Sequence, residues 1–277
     1  MRTRLRILVL LCLSTGVACA AHAQSAWLPA RGDLVISPAF AHQEFDQGWV
    51  GDTKVDLTTL GVRLVQRSYV VSLEYGLTPS VALDVTGGWS QVGGVGAHLD
   101  GITDTYVGVR WSPLPAPDPL ATVQATLALR AGGIVQGTYG TGSILDVDDG
   151  ANGFEGSLLY ALAWPRARIG LQGDLGYRVR YENVPDDLFG SLGATGDLAP
   201  WLTLGASYRY VGARSGGDLL TPGFQWSDAK EIEHQFGGSV TLRDRAGRGA
   251  TLFGSRVVAG RNTGEDRQLG LSLSLPF

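Results

Sequence analysis

The chain has 277 residues, among them 40 glycines, 12 prolines, seven tryptophans and a single methionine, with 22 basic and 26 acidic side chains and a formal charge of −4. Glycine is a poor helix former and an acidic balance repels phosphate backbones, so the composition argues against a helical protein and against nucleic acid as a partner. Both cysteines, Cys12 and Cys19, fall in the first 23 residues, so the rest of the chain has no disulfide, thiol chemistry or cysteine metal site, and no cofactor is expected.

In chain order, Arg2, Arg4 and Arg6 precede an apolar run from Ile7 through Ala18 and then "AHAQ". This reads as a secretory signal peptide over 1–23, cleaved after Ala23, with 24–277 as the exported protein. Cys19 after "GVA" offers a lipoprotein site as the alternative, but Gly16 stands where an aliphatic residue is wanted. Cleavage leaves 19 of the 22 basic residues against 26 acidic ones, a balance of −7. No stretch of 18 apolar residues follows, so no transmembrane helix is expected.

Residues 24–277 read as all-β. In "ARIGLQGDLGYRVRYEN", Ile169, Leu171, Gly173, Leu175, Tyr177, Val179 and Tyr181 share one face, while Gln172, Asp174, Arg178 and Arg180 share the other. "TVQATLALRAG", "WLTLGASYRY" and "RQLGLSLSLPF" repeat the alternation, each about as long as a tilted strand needs to cross a bilayer. Strands are expected near 33–45, 67–76, 80–90, 103–111, 121–133, 154–164, 167–181, 187–198, 201–213, 231–243, 249–260 and 266–277, with an earlier start near Leu57 as the alternative for the second. The expected fold is a transmembrane antiparallel up-and-down β-barrel of about twelve strands.

The connections alternate in length. Those at 76–79, 112–119, 165–167, 198–200 and 244–248 are short, whereas 46–66, 134–153 and 214–230 are long and polar. Short periplasmic turns and long extracellular loops are the grammar of outer-membrane barrels, with both termini periplasmic. Tyr75, Trp111, Trp164, Trp201 and Phe277 all sit at strand ends beside the short turns, where a periplasmic aromatic girdle belongs. A soluble sandwich also alternates, but has no reason to combine this loop parity with aromatics at one depth.

"GDLVISPAFAHQEFD" at 32–46, "SLEYGLTPSVALDV" at 72–85, "RYENVPDDLFGSLGATGDLAPWLTLGASY" and the closing "AGRNTGEDRQLGLSLSLPF" resemble the outer-membrane family labelled meta-pathway of phenol degradation. The resemblance spans nearly all of 24–277. It implies a transporter for aromatic or other hydrophobic compounds, in the outer membrane of a Gram-negative envelope; with no energy-coupling motif visible, transport down a gradient is expected. Resemblance to outer-membrane barrels at large implies that Leu273, Leu275 and Phe277 form the signal read by the barrel assembly machinery, with lipid and lipopolysaccharide as further partners. The chain departs from fatty-acid transporter barrels, which carry an N-terminal hatch. Only residues 24–31 precede the first strand, too few to fold as a domain, so gating is expected from loops or lumen side chains.

Strand alternation places Glu74, Asp84, Asp104, Arg110, Arg130, Glu155, Asp174, Arg178, Arg180 and Arg209 inside a barrel of backbone radius about 12 Å. Two readings stand side by side: a ladder of ion pairs that stiffens the wall, or a selectivity set of Arg110, Arg130, Asp174, Arg178, Arg180 and Arg209. In the second reading Arg178, Arg180 and Arg209 form a positive strip for anionic or polar-aromatic solutes. "DVDDG" at 146–150 lacks the spacing and terminal Glu of a calcium loop, so Asp146, Asp148 and Asp149 read as a solvated acidic loop, with bridging to lipopolysaccharide through divalent ions as the alternative. A barrel hydrolase is the rival class; His42, His98 and His234 show no local spacing to a serine, and His98 is expected in a loop. A surface-interaction barrel is the third class, acting through loops that hold Trp49 and Trp226.

Overall fold

The computed structural model describes residues 25–277, apart from 62, 95, 115–117, 119, 139–150, 182–183, 220, 223 and 225–227. The signal segment, the acidic loop at 146–150 and Trp226 therefore lie outside the described residues. In chain order the strands are β1 (Leu34–Phe45), β2 (Gln47–Val50), β3 (Thr53–Asp56), β4 (Leu64–Thr78), β5 (Val81–Gly94), β6 (Ala97–Ile102), β7 (Thr105–Trp111) and β8 (Gln124–Val135). They continue with β9 (Gly153–Trp164), β10 (Ile169–Arg180), β11 (Asp187–Ala199), β12 (Leu202–Ala213), β13 (Ile232–Arg243), β14 (Gly249–Arg261) and β15 (Arg267–Pro276).

Twelve of these close a ring of antiparallel neighbours: β1, β4, β5, and β7 through β15, with β1 returning to β15. Closure leaves no sheet edge, which is the condition for a strand-built wall in lipid, where unpaired backbone groups are costly. Residues 34 and 277 exchange backbone hydrogen bonds at the seam, Leu34 N to Phe277 O at 3.1 Å and Phe277 N to Leu34 O at 2.8 Å. The outward positions along the middle of the strands are mostly exposed and apolar, as in Leu269, Leu271 and Leu273 on β15 or Tyr69, Val71 and Leu73 on β4. That belt of apolar side chains is a lipid-facing surface.

Two local details depart from the sequence expectation. The second barrel strand begins at Leu64, not near Leu57, because 47–56 fold on themselves as the β2–β3 hairpin. Gly51, with φ +58°, supplies the turn conformation that lets this hairpin reverse so tightly. His98 stands in strand β6, not in a loop: β6 pairs with 89–94 of β5, directly above the stretch of β5 that pairs with β7. β6 and β7 thus act as one strand broken at Thr103 and Asp104.

Register places glycine where the interior needs room. Gly108 of β7 and Gly132 of β8 are directly opposed and point inward, and the ring of Tyr106 lies flat across them. A Cβ on Gly132 would come within 2.5 Å of both the Tyr106 ring and the Val107 carbonyl oxygen. Gly132→Val is therefore expected to cost about 1–3 kcal/mol by overpacking, read as a lower urea midpoint in lipid vesicles. Gly133→Val is the contrast, because a Cβ there meets nothing within 4 Å.

Candidate functional site: the barrel lumen

The inward faces of β4, β5 and β7–β11 carry most of the lumen charges. Glu74, Asp84, Gly108, Gly132, Glu155, Arg178 and Asp187 follow one another as Cα partners along a single row across seven strands. Arg110 and Arg130 oppose each other two residues along their strands from the row's glycines and reach into it. Arg110 donates from Nε to Asp84 Oδ1 at 3.0 Å and from Nη2 to Glu74. Arg130 pairs with Glu155 through Nη1, stands 3.6 Å from Asp84 through Nε, and lays its guanidinium 3.4 Å over the Tyr106 ring. Arg178 donates twice to Glu155 Oε2, at 3.1 and 2.9 Å, and lies 3.8 Å from Asp187.

The result is a continuous chain of alternating sign, Glu74–Arg110–Asp84–Arg130–Glu155–Arg178–Asp187. Two arginines set directly opposite would repel in isolation; here each lies between carboxylates that absorb its charge. The glycines of the row make the stack possible, since they leave the floor on which Tyr106 and then Arg130 lie. Arg180 joins from above, donating to Asp104 Oδ2 at 3.1 Å. Asp174 accepts from the Ser191 hydroxyl, and Arg209 is the Cα partner of Ser191 on one side and Gln235 on the other.

The facing wall, from β12 to β15, is built differently. Apart from Arg209, Glu233 and Arg243, its inward positions are mostly small and largely hydroxylated: Thr203, Gly205, Ser207, Gly237, Ser239, Thr241, Thr251 and Ser255. The hydroxyls of Thr241 and Thr251 are 2.9 Å apart, and Gln235, Ser255 and Gln268 form a hydrogen-bonded file at 3.0 and 3.1 Å. Because these side chains are short, the lumen stays open along them: a cavity of about 1050 Å³ lies between this wall and the charged one.

The residues ahead of β1 enter that space. Ala26 is buried against Ala128, Leu159 and Ala161, all inward positions on β8 and β9, with Trp27 packed beside it. Arg110 donates from Nη1 to the Ser25 carbonyl oxygen at 2.5 Å, tying the tail to the Arg110 end of the ladder. Gly76 makes the entry possible, since a Cβ there would stand 2.0 Å from the Ala30 carbonyl oxygen. Residues 25–27 thus occupy the lumen beside side chains of the wall.

The mouth at the long-loop end is covered on the β1–β4–β5 side. Leu57 and Leu219, from two loops, bury themselves among Phe45, Leu64 and Val92 of those strands. The cover is strapped to the rim by Lys54 and Arg256 on Glu265, by Arg267 on Asp46 at 2.7 Å, and by Arg261 on Asp218. Asn262, fully buried, bonds Gly51 N at 2.8 Å and the Lys230 carbonyl at 2.8 Å, joining three loops.

Beside this knot, burial pushes the carboxyl of Asp266 up to about 7, with the Glu233 charge adding to the rise and the Gln43 amide, 2.9 Å away, opposing it. A carboxyl whose pKa is raised by folding stabilises the closed arrangement most below its unfolded value near 4, and that contribution fades as pH climbs through about 7. Hydrogen exchange in the 47–56 hairpin is therefore expected to accelerate between about pH 4 and pH 7 beyond the intrinsic chemical rate. Asp266→Asn should flatten that excess; a variant that keeps it would assign the effect elsewhere.

All six selectivity candidates border the cavity: Arg110, Arg130, Asp174, Arg178, Arg180 and Arg209. Arg110, Arg130 and Arg180 are nearly fully buried in their ion pairs, so Arg178 stands out as the more accessible ladder cation. Tyr75, Trp111, Trp201 and Phe277 are exposed at strand ends on the short-turn side, and Trp164 is half-buried at the end of β9. Leu273 is exposed and Leu275 half-buried on the outward face of β15. His42 meets Glu44 at 3.3 Å and His234 meets the Tyr208 hydroxyl at 2.8 Å, both on the outer wall. The ladder's register, the seat of Tyr106 and the path of the tail were not legible in the sequence. Paired inward glycines on adjacent strands were the available signal for the second.

No family model matches the chain, and none of the curated proteins matches it. Among solved structures, it is similar to an outer membrane channel from Pseudomonas putida F1, at 13% identity over 91% of this chain and 97% of that one, with a TM-score of 0.72. The translocator domain of the autotransporter NalP from Neisseria meningitidis (15% identity, 90% of each chain) and the KdgM porin (12%, 86% and 99%) both give a TM-score of 0.46. The first of these likenesses establishes a shared fold: a closed barrel of the kind that outer-membrane channels use.

Proposed function

We propose that this protein is an outer-membrane channel through which small, neutral aromatic or hydrophobic solutes pass down their gradient. The observation that carries the reading is the open space between two unlike walls, one of small hydroxylated residues and one of self-compensated charge. A solute of phenol size fits a cavity of about 1050 Å³, slides along glycine, serine and threonine, and meets polarisable groups on the ladder side. The resemblance to the phenol meta-pathway family supports the solute class. Export by the 1–23 signal and assembly through Leu273, Leu275 and Phe277 belong to the same reading.

The ladder modifies the positive-strip idea. Each of Arg110, Arg130, Arg178 and Arg180 is held by carboxylates, and Asp197, Glu231 and Glu233 also border the cavity, so the lumen is not a cation trap for anions. Planar-bilayer recording of the refolded 24–277 chain tests this directly. Phenol at the bath side is expected to reduce the current more than benzoate at equal concentration. Stronger action of benzoate would restore Arg178, Arg180 and Arg209 as an anion-selecting strip, and a silent, folded barrel would remove the channel reading.

A further inference from the structure

The outer wall changes character on one side near the extracellular rim. Going up β15, Leu273, Leu271 and Leu269 face outward and are exposed; the next outward position is Arg267, and its Cα partner on β14 is Arg256. Their side chains are 46% and 52% exposed. On the other flank of β1, Arg67 of β4 stands opposite His42, outward and exposed, and makes no side-chain hydrogen bond or ion pair among the described residues. Lys54 of the hairpin reaches the same rim with 44% of its side chain exposed.

Like charges set directly across two strands repel, and cations on a lipid-facing wall are costly away from the interface. The local carboxylates offset this only in part. Glu265, which binds both Arg256 and Lys54, is itself fully buried, and Glu44, outward and part-exposed, is shared between His42 at 3.3 Å and Arg63 at 2.9 Å, so Lys54, Arg63, Arg67, Arg256 and Arg267 still outnumber the rim carboxylates Glu44, Asp46 and Glu265. Arg267 engages Asp46 through Nη2, leaving Nε and Nη1 to point elsewhere. Immediately below lies the leucine column, flanked by Phe40 and Tyr69, whose rings pack at 5.1 Å. Cations above an unbroken apolar strip match an amphiphile with anionic head and acyl tails.

We propose that Arg67, Arg256 and Arg267, with Lys54 and His42, form a binding site for the phosphorylated headgroup of an outer-leaflet glycolipid of lipid A chemistry, its acyl chains lying along Leu269 and Leu271. Guanidinium groups suit phosphate because they bind it bidentately. The inference rests on placement in the outer membrane but not on conduction.

The test is native mass spectrometry of the refolded 24–277 chain in detergent, titrated with bisphosphorylated lipid A and with the same lipid after enzymatic dephosphorylation. The phosphorylated lipid is expected to bind at least about tenfold more tightly, and each arginine removed to weaken it by roughly fivefold. The variants are R67Q alone, the triple R67Q/R256Q/R267Q, and R248Q at a periplasmic turn, which should leave binding unchanged. Because Arg256 and Arg267 also strap the hairpin, R67Q alone decides the matter should the triple variant fail to refold. Equal affinity for the dephosphorylated lipid, or binding by R67Q within about twofold of the parent, would overturn the site. Displacement of bound lipid by inorganic phosphate would mark a bare anion site and overturn it equally. Binding is read without current, so a silent barrel that binds would sink the channel reading and leave this one standing.

Discussion

A chain that starts at Leu28, without Ser25, Ala26 and Trp27, is expected to show single-channel conductance roughly two- to fivefold above that of the 24–277 chain, since conductance follows the free cross-section of the narrowest section. The tail sits where it matters: Ala26 fills a shallow pocket over Ala128 and Ala161, and Trp27 borders the cavity. Deletion also frees one Arg110 donor, Nη1, from the Ser25 carbonyl. The two carboxylates that hold Arg110 remain, so the wall itself should stand. Ala128→Leu is the complementary change, expelling Ala26 by volume; it should raise open-channel noise. Unchanged conductance in both variants would make the tail a bystander.

Stability should respond as strongly to the middle of the ladder. Glu155 neutralises Arg130 and Arg178 at once, and its side chain is almost wholly buried. Glu155→Gln leaves two guanidinium groups facing one another with no carboxylate between them, which is expected to cost about 3–5 kcal/mol, the usual penalty for stripping one partner from a buried pair. Urea titration of barrel tryptophan fluorescence in lipid vesicles reads the loss. Adding Arg178→Met to Glu155→Gln should recover part of it, because the second change removes one of the stranded charges. Strict additivity of the two would deny the coupling that the distances imply.

How far the sequence reveals this molecule follows from what each feature depends on. Which face a residue takes depends only on a period of two, so the inward position of Glu74, Asp84 and Arg178 and the outward position of the β15 leucines are readable from the chain alone. Loop parity adds the direction of each strand. Register is another matter: whether Glu155 meets Arg178 or Arg180 depends on where each hairpin turns, and a two-residue error there exchanges the partners. The opposed glycines Gly108 and Gly132 and the Tyr106 ring across them belong to that register. The early start suggested for the second barrel strand failed for a related reason, since the hairpin of 47–56 carries its own alternation and blurs the phase ahead of Leu64. The tail has no period at all, and its seat is created by alanines on β8 and β9 far along the chain.

If ions move along the hydroxylated wall of the lumen, a bulky charged group attached to that wall must obstruct them. The chain from Gln24 onward contains no cysteine, so single cysteines can be placed on a silent background. Ser239 faces the cavity and its neighbour Val240 faces outward on the same strand. The most direct measurement is current through Ser239→Cys and Val240→Cys barrels before and after a charged, membrane-impermeant thiol reagent. Modification is expected to block most of the Ser239→Cys current and to leave that of Val240→Cys unaltered. Persistent current through fully modified Ser239→Cys would contradict conduction along this wall.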